Sequence, residues 1–380
     1  MNVDQEIRTT PDIQEERGRG WLVGGVVYAA AAMFLVGTLA SVSALITDYP
    51  VYGGQAVRYA VAAAILLIVA RRLGPAREPD PTREHGPTRE HGPAREPGPA
   101  PEPGPAQGPE SAWGRPAAPN RRMARGRLTA HLRRLRARGR LAAGERHTRA
   151  ERLTARELAL LGALATTGLV IFNVAMIESA RAAGPTLAGT VLGTVPLILA
   201  LTGGGRPSPR LVTAAAVVVA GTTLATGLGS GNAAGLAWAL VALACEVCFS
   251  LLALPLLPKL GAVRVSAYSC ALAVPMLVVI GLAVDGDGFL RMPTAAEALG
   301  LTYLSLVITT IAFLLWYTGL PRLGPQRAGL FAGLIPVGAL VTTAVLGLGV
   351  PGPADLAGAG LVILGIVIGL NGGVVPSRKT

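Results

Sequence analysis

Two stretches of this chain repeat one another at a fixed offset of 140 residues: Gly184, Pro185, Ala188, Gly189, Gly193 and Pro196 recur as Gly324, Pro325, Ala328, Gly329, Gly333 and Pro336. Both stretches lie within segments apolar enough to cross a membrane. A helix accepts glycine and proline only where close packing or a break is wanted, so apolar composition alone does not generate this agreement. The chain is thereby constrained to a duplicated helical membrane architecture.

A bilayer span takes about 20 apolar residues. Ten segments qualify: 21–46, 52–70, 158–177, 184–204, 211–229, 233–257, 264–284, 298–319, 325–350 and 354–371. With 51% hydrophobic and only 15% charged residues, the chain of 380 is too apolar for an ordinary soluble domain. Ser208 followed by Pro209 reads as an N-cap with a first-turn proline, and Thr294 followed by Glu297 as a capping box; each precedes an apolar run. The first apolar run is too long for a cleaved leader and reads as a retained first helix.

Charge sets the orientation. With both termini in the cytoplasm, Arg8, Arg17, Arg19, the segment 71–156, Arg206, Arg210, Lys259, Arg264, Arg322, Arg327, Arg378 and Lys379 fall inside. Only Arg181 and Arg291 fall outside, and Arg58 lies within a span. The positive-inside rule therefore predicts ten spans, cytoplasmic termini and a multi-pass protein of the plasma or inner membrane.

The expected fold class is an all-α membrane protein of ten transmembrane helices in two inverted five-helix repeats, with a disordered Pro/Arg-rich cytoplasmic insertion. In order, the expected parts are a tail at 1–20, helices one and two at 21–72, the insertion at 73–156, helices three to five at 157–229, helices six to ten at 233–371 and a tail at 372–380. Five spans per half force the halves into opposite orientations, and repeats of this kind, typical of secondary transporters, place a cavity between them. Gly221 matches Gly365, so the tenth span continues the repeat at a shifted offset.

Residues 81–86 and 87–92 of the insertion both read Pro-Thr-Arg-Glu-His-Gly, and a Pro/Ala/Gly run follows to Gln107. Such a sequence cannot bury a core. Arginines dominate 121–156, which carries much of the net charge of +12. Tethered beside a membrane, that stretch is expected to contact anionic lipid, at about 1 kcal/mol per basic residue, rather than nucleic acid; a merely solvated insert is the alternative.

Two ionisable residues lie deep in spans: Arg58, six residues into span two, and Glu246, thirteen residues into span six. Ionisable groups at such depth are costly and face a partner or a cavity. One reading makes Glu246 a proton- or cation-binding carboxylate and Arg58 an anchor for a carboxylate or phosphate; the other makes them an internal ion pair, or Arg58 a snorkelling side chain. Asn173, Thr309, Thr310, Trp316, Tyr317 and Gln326 are further polar candidates, for a binding site or for interhelical hydrogen bonds.

Gly189 and Gly193, with their mates Gly329 and Gly333, form small-xxx-small pairs suited to close helix packing. Pro196 and Pro336 each remove a mid-span backbone bond and mark a break or a kink. No catalytic or metal-binding group, and no cofactor, is expected. Cys245 and Cys248 have no second pair or histidine beside them in the spans, and the third cysteine, Cys270, is also within a span. His85, His91, His131 and His147 all lie in the insertion, no phosphate-binding loop is present, and Asp285-Gly-Asp-Gly reads as an outer turn. The expected partners are membrane lipid and a small-molecule substrate, with the protein a monomer or homodimer.

The G-x3-A-x7-P pattern on the fourth helix of each half (Gly184, Ala188, Pro196; Gly324, Ala328, Pro336), Pro50 and Arg58 about helix two, and the glycine-rich helix ten (Gly358, Gly360, Gly365) resemble the EamA-type branch of the drug/metabolite transporter superfamily. The resemblance covers 21–72 and 157–371. It implies movement of amino acids, other metabolites, drugs or nucleotide sugars, commonly outward, through a cavity between the halves. The chain departs from the family at Leu348, which follows Leu346-Gly347 where a glutamate is often found, and in the insertion after helix two. Glu246 lies on the helix equivalent to helix one, where small multidrug relatives carry their coupling glutamate. A secondary transporter working by alternating access, with Glu246 as its proton carrier, is the expectation. The rival is a membrane-embedded scaffold whose basic insertion binds anionic lipid or a partner.

Overall fold

The computed structural model describes residues 9–43, 45–46, 48–73, 153–183, 185–202, 208–227 and 232–371. Gly184, nearly all of the insertion with its histidines and the 121–152 arginines, and the tail from 372 lie outside the described residues.

All regular structure among the described residues is helical. Nine helices are long and apolar enough to cross a membrane, and a shorter apolar one, Leu187–Thr202, lies where the fourth span is expected. We number them α1 (Thr9–Ser43), α2 (Val51–Arg72), α3 (Ala155–Ala183), α4 (Pro185–Leu192 and Val195–Thr202), α5 (Pro209–Thr226), α6 (Ala233–Ala253), α7 (Leu257–Asp285), α8 (Ala295–Leu323), α9 (Pro325–Val345) and α10 (Pro353–Leu370). Nine spanning helices and the shorter α4 stand where the ten spans are expected among the described residues, and several differ in extent. The first helix reaches back to Thr9, into the segment expected to be a polar tail, and the ninth stops at Val345 rather than 350.

Helix starts follow local chemistry. Ser208 accepts a hydrogen bond from Leu211 N (3.2 Å) and Asn232 from Gly235 N (2.7 Å), so each satisfies an amide at the open end of a helix. Thr154 and Glu157 form a reciprocal capping box at α3, and Thr294 and Glu297 form one at α8. These boxes stand at the same 140-residue offset as the glycines and prolines.

The prolines break the fourth helix of each repeat. In α4 the two pieces meet at a turn over Gly193 and Thr194. In α9 a 3-10 turn, Phe331–Gly333, interrupts the helix. Pro196 and Pro336 lack the N–H that would bond four residues back, to Leu192 and Ala332, and those residues border or occupy the breaks. The third helix of each repeat carries a wider π segment, Ala165–Ile171 in α3 and Leu304–Ile311 in α8.

Contacts show that the two halves run in opposite directions. Along α5 and α10, Arg210 Nε donates to Ile368 O (2.9 Å), Gly365 lies against Ala214 and Val218, and Gly358 lies against Gly221 and Ala225. One helix rises as its repeat equivalent falls. The backbones are so close that a Cβ on Gly221 would lie 2.7 Å from Gly358 O. Gly53 at the start of α2 likewise meets Phe289 just past the end of α7. Exchanging the repeats maps α2–α7, α4–α9 and α5–α10 onto themselves, α1–α8 onto α6–α3, and α1–α9 onto α6–α4, and every one of these pairs is in contact.

The small-xxx-small expectation needs one correction. A Cβ on Gly193 would meet Thr222 at 2.6 Å, on Gly329 Leu199 at 2.8 Å, and on Gly333 Val218 at 2.4 Å, so those three serve close packing. At Gly189 the nearest such atom, of Thr226, is 3.8 Å away, an ordinary contact. Gly189 therefore admits no closer approach than alanine would, although the adjacent Thr190 hydrogen-bonds to Gly227 O at the end of α5 (2.7 Å).

Candidate functional site

Arg58 is buried, at 4% exposure, so it does not snorkel to a membrane face. Its Nε donates to Thr309 Oγ1 at 2.6 Å, across from α2 to α8, and its Nη1 donates to Gln55 Oε1 at 3.2 Å. The Thr309 hydroxyl donates its own hydrogen to Leu304 O (2.9 Å), five residues back, and Thr310 does the same to Ser305 O (2.9 Å). The π segment exposes these carbonyls and so leaves Thr309 only lone pairs to offer Arg58.

The next residue on α2 is held from the other side. Asn173, directly beyond the π segment of α3, donates through Nδ2 to Tyr59 OH at 3.0 Å and to Leu169 O. The Arg58 guanidinium lies 5.2 Å from the Tyr59 ring centroid, a cation–π distance. Adjacent residues of α2 are therefore clamped by the third helix of each repeat.

Glu246 is partly buried, about 20 Å along α6 by helical rise. It makes no hydrogen bond or ion pair with a described residue; the ion pairs among them join Arg181 to Glu178, Lys259 to Glu157 and Arg291 to Glu297. The ion-pair reading of Arg58 and Glu246 is therefore not what the structure shows. Glu246 lies within electrostatic range of Tyr59 and Tyr317. Near it are buried polar atoms without partners, Ser250 Oγ one turn further along α6 and Tyr317 OH on α8; Trp316 Nε1, also on α8, is a further buried and unpaired atom. Buried polar groups are ordinarily paired, and a cluster of exceptions beside an unpaired carboxylate is uncommon in a purely structural core. Phe249, also on α6, stacks near Phe313 and Tyr317, with ring centroids 5.1 and 5.2 Å away.

The structure thus brings together Arg58, Asn173, Thr309, Tyr317 and Glu246, from α2, α3, α6 and α8, and buries Trp316 on α8 without linking it to them. Gln326 instead donates to Ala200 O (3.2 Å) and ties α9 to α4. Gly193, Gly329, Gly333 and the two prolines belong to the packed group of α4, α5, α9 and α10. Sequence reasoning missed Gln55 and Tyr59, whose residue types are ordinary near a membrane interface.

It also missed a matched pair of charged contacts at the two ends of the helical body. Glu157 accepts from Thr154 N and, through both oxygens, from Lys259 Nζ, all at 2.8 Å. Lys259 stands on a turn before Gly261, whose φ of 70° sets that turn off from the rest of α7. Glu297 accepts from Thr294 N (2.8 Å) and from both terminal nitrogens of Arg291. Arg291 Nη2 also reaches Asp48 O (3.2 Å), and Tyr49 OH donates back to Arg291 O (3.0 Å). The hydrogen bonds to Glu297 hold the Arg291 pKa above its ordinary value. Each contact ties one repeat to the other, Lys259 to α3 and Arg291 to the loop between α1 and α2. The 140-residue offset between the capping boxes was the available signal.

Residues 233–370, nearly the whole second repeat, match the model of the EamA-like transporter family. The uncharacterized transporter YetK of Bacillus subtilis (strain 168) is 22% identical over 205 residues, 51% of this chain. The match spans 62% of that protein's length. A protein of known crystal structure superposes with a TM-score of 0.60 at 17% identity, covering 92% of this chain and 97% of that one. At that identity the likeness speaks for the fold alone. Residues 233–370 are thus similar to the EamA-like transporter family, and the apolar helices along the chain make it a multi-pass membrane protein.

Proposed function

We propose that the chain is a secondary transporter that moves a small organic metabolite, amino acid or drug outward across the cell membrane by alternating access, with both termini cytoplasmic. One observation carries this reading. A carboxylate from the second repeat and a cation from the first, Glu246 and Arg58, lie mid-helix without an ion-pair partner, beside unpaired buried polar atoms. A structural core gains nothing from leaving such groups unsatisfied, whereas a binding site requires it.

Glu246 has the role of proton carrier in this scheme. With no cationic partner holding it ionised, it can take up and release a proton as its surroundings alternate between wet and closed. The contacts at the two faces fit the same cycle. Under the orientation that positive charge favours, Lys259–Glu157 closes the cytoplasmic end and Arg291–Glu297 with Asp48 the outer end.

The test is uptake of a broad metabolite mixture into everted vesicles, with and without a proton gradient, by the wild type and by Glu246→Gln. Glutamine keeps the shape and cannot titrate. Gradient-driven accumulation of one compound class, absent in the variant, is expected. Accumulation no greater than in empty vesicles, with folded protein present, would reject transport; equal gradient dependence in both proteins would remove Glu246 from coupling.

A further inference from the structure

A guanidinium carries five N–H donors in a planar fork. In Arg58 two of them are committed inside the protein, Nε to Thr309 and one N–H of Nη1 to Gln55. The other three, one on Nη1 and both on Nη2, have no acceptor among the described residues. Nη2 is not among the polar atoms sealed from solvent without a partner, so it faces accessible space although the residue as a whole is 4% exposed. The end of the fork is therefore presented, and its back is fixed. Thr309 can only accept, because its hydrogen is on Leu304 O, and the Tyr59 ring under the guanidinium is itself held by Asn173.

No carboxylate of the described residues neutralises this cation. A positive charge within a span needs a counter-charge or a polar cavity. The free Nη1–Nη2 edge has the spacing that pairs bidentately with two oxygens of a carboxylate or phosphate. We infer that Arg58 is the recognition point for an oxyanion, a carboxylate or phosphate group on the transported molecule. The cargo is thus an organic acid or a zwitterion. This inference rests on the transporter reading above and names the substrate class of that site.

Acid and amide pairs of equal shape test it: acetate and acetamide, succinate and succinamide, benzoate and benzamide, with phenyl phosphate as the phosphate counterpart of benzoate. Binding to the purified full-length protein is read as a shift of its thermal transition. At least one acid is expected to stabilise the wild type where its amide does not, and the benzoate and phenyl phosphate arms tell carboxylate from phosphate. Arg58→Lys keeps the charge and loses the fork, so apparent affinity falls at least tenfold. Thr309→Val frees the guanidinium and weakens binding severalfold without touching its charge, which covers the case in which the arginine variant fails to fold. Amides that stabilise as well as acids, no response to any acid from folded protein, or wild-type affinity in Arg58→Lys and Thr309→Val would each overturn the inference. Vesicle uptake separates the two claims. Uptake of neutral or cationic compounds, unaffected by any of the acids, keeps the transporter and rejects the anion site; acid binding that depends on Arg58 without uptake of anything keeps the site and rejects transport.

Discussion

At the scale of single residues, what a position tolerates follows from what surrounds it. Gly37 and Gly338 bring α1 and α9 into backbone contact: a Cβ on Gly338 would lie 2.2 Å from Phe34 O, and one on Gly37 2.1 Å from Ile335 O. Backbone cannot turn aside as a side chain can, so Gly338→Ala should destabilise the protein by about 1–3 kcal/mol. Gly189→Ala meets nothing closer than 3.8 Å and should be neutral or stabilising by up to about 1 kcal/mol. Thermal unfolding of both variants in the same detergent checks the contrast; equal losses would mean that the packing around one of them is misjudged. From sequence alone these two glycines cannot be ranked. Gly189 stands in a visible repeat and Gly338 does not, yet it is the second that packs. Arg58, Asn173, Thr309 and Glu246 were legible because polar groups stand out in apolar runs. Tyr59 and Gln55 were not, since a tyrosine or glutamine near a span end is ordinarily an interface residue.

At the scale of elements, the third helix of each repeat does most to build the site. Each has a capping box at its start and a π segment in its body, and each hydrogen-bonds to α2 through side chains, α8 by Thr309 and α3 by Asn173 and Glu178. A π segment leaves no sequence signature, because it reflects how a helix is packed rather than which residues compose it. The break in α4 was half legible. Pro196 marks it, but 184–204 reads as one continuous apolar run, so a full-length span was expected where two short pieces stand. The boxes also carry the charged contacts at the two faces, whose partners are far apart in sequence and so escape any local reading. In the proposed orientation, Lys259→Ala should free the cytoplasmic end and Arg291→Ala the outer end, shifting the resting population in opposite directions. Site-specific labelling from each face would register the shift. Identical effects of the two substitutions would mean that these contacts brace the helices without gating them.

At the scale of the whole molecule, the inverted repeat turns one five-helix design into a site with unlike walls. Repeat-equivalent helices meet antiparallel at α5–α10 and at α2–α7, and the contact pattern survives exchange of the halves. The site does not share that symmetry. Tyr317 stands at the position equivalent to Ile177, and Asn173 at that equivalent to Phe313, so the polar groups on α3 and α8 fall at different heights. In the proposed transport cycle, symmetry would supply the two alternative arrangements and the asymmetric side chains the recognition of cargo.

In the proposed cycle one site opens to each face in turn, and a cysteine in that site reports it directly. Ser250 is buried on α6, one turn from Glu246, and cysteine is close to it in size. With Cys245, Cys248 and Cys270 replaced, Ser250→Cys should react with a membrane-impermeant thiol reagent in everted and in right-side-out vesicles alike, and cargo should slow both reactions. Reaction from one side only, whatever the gradient or added solute, would contradict alternating access.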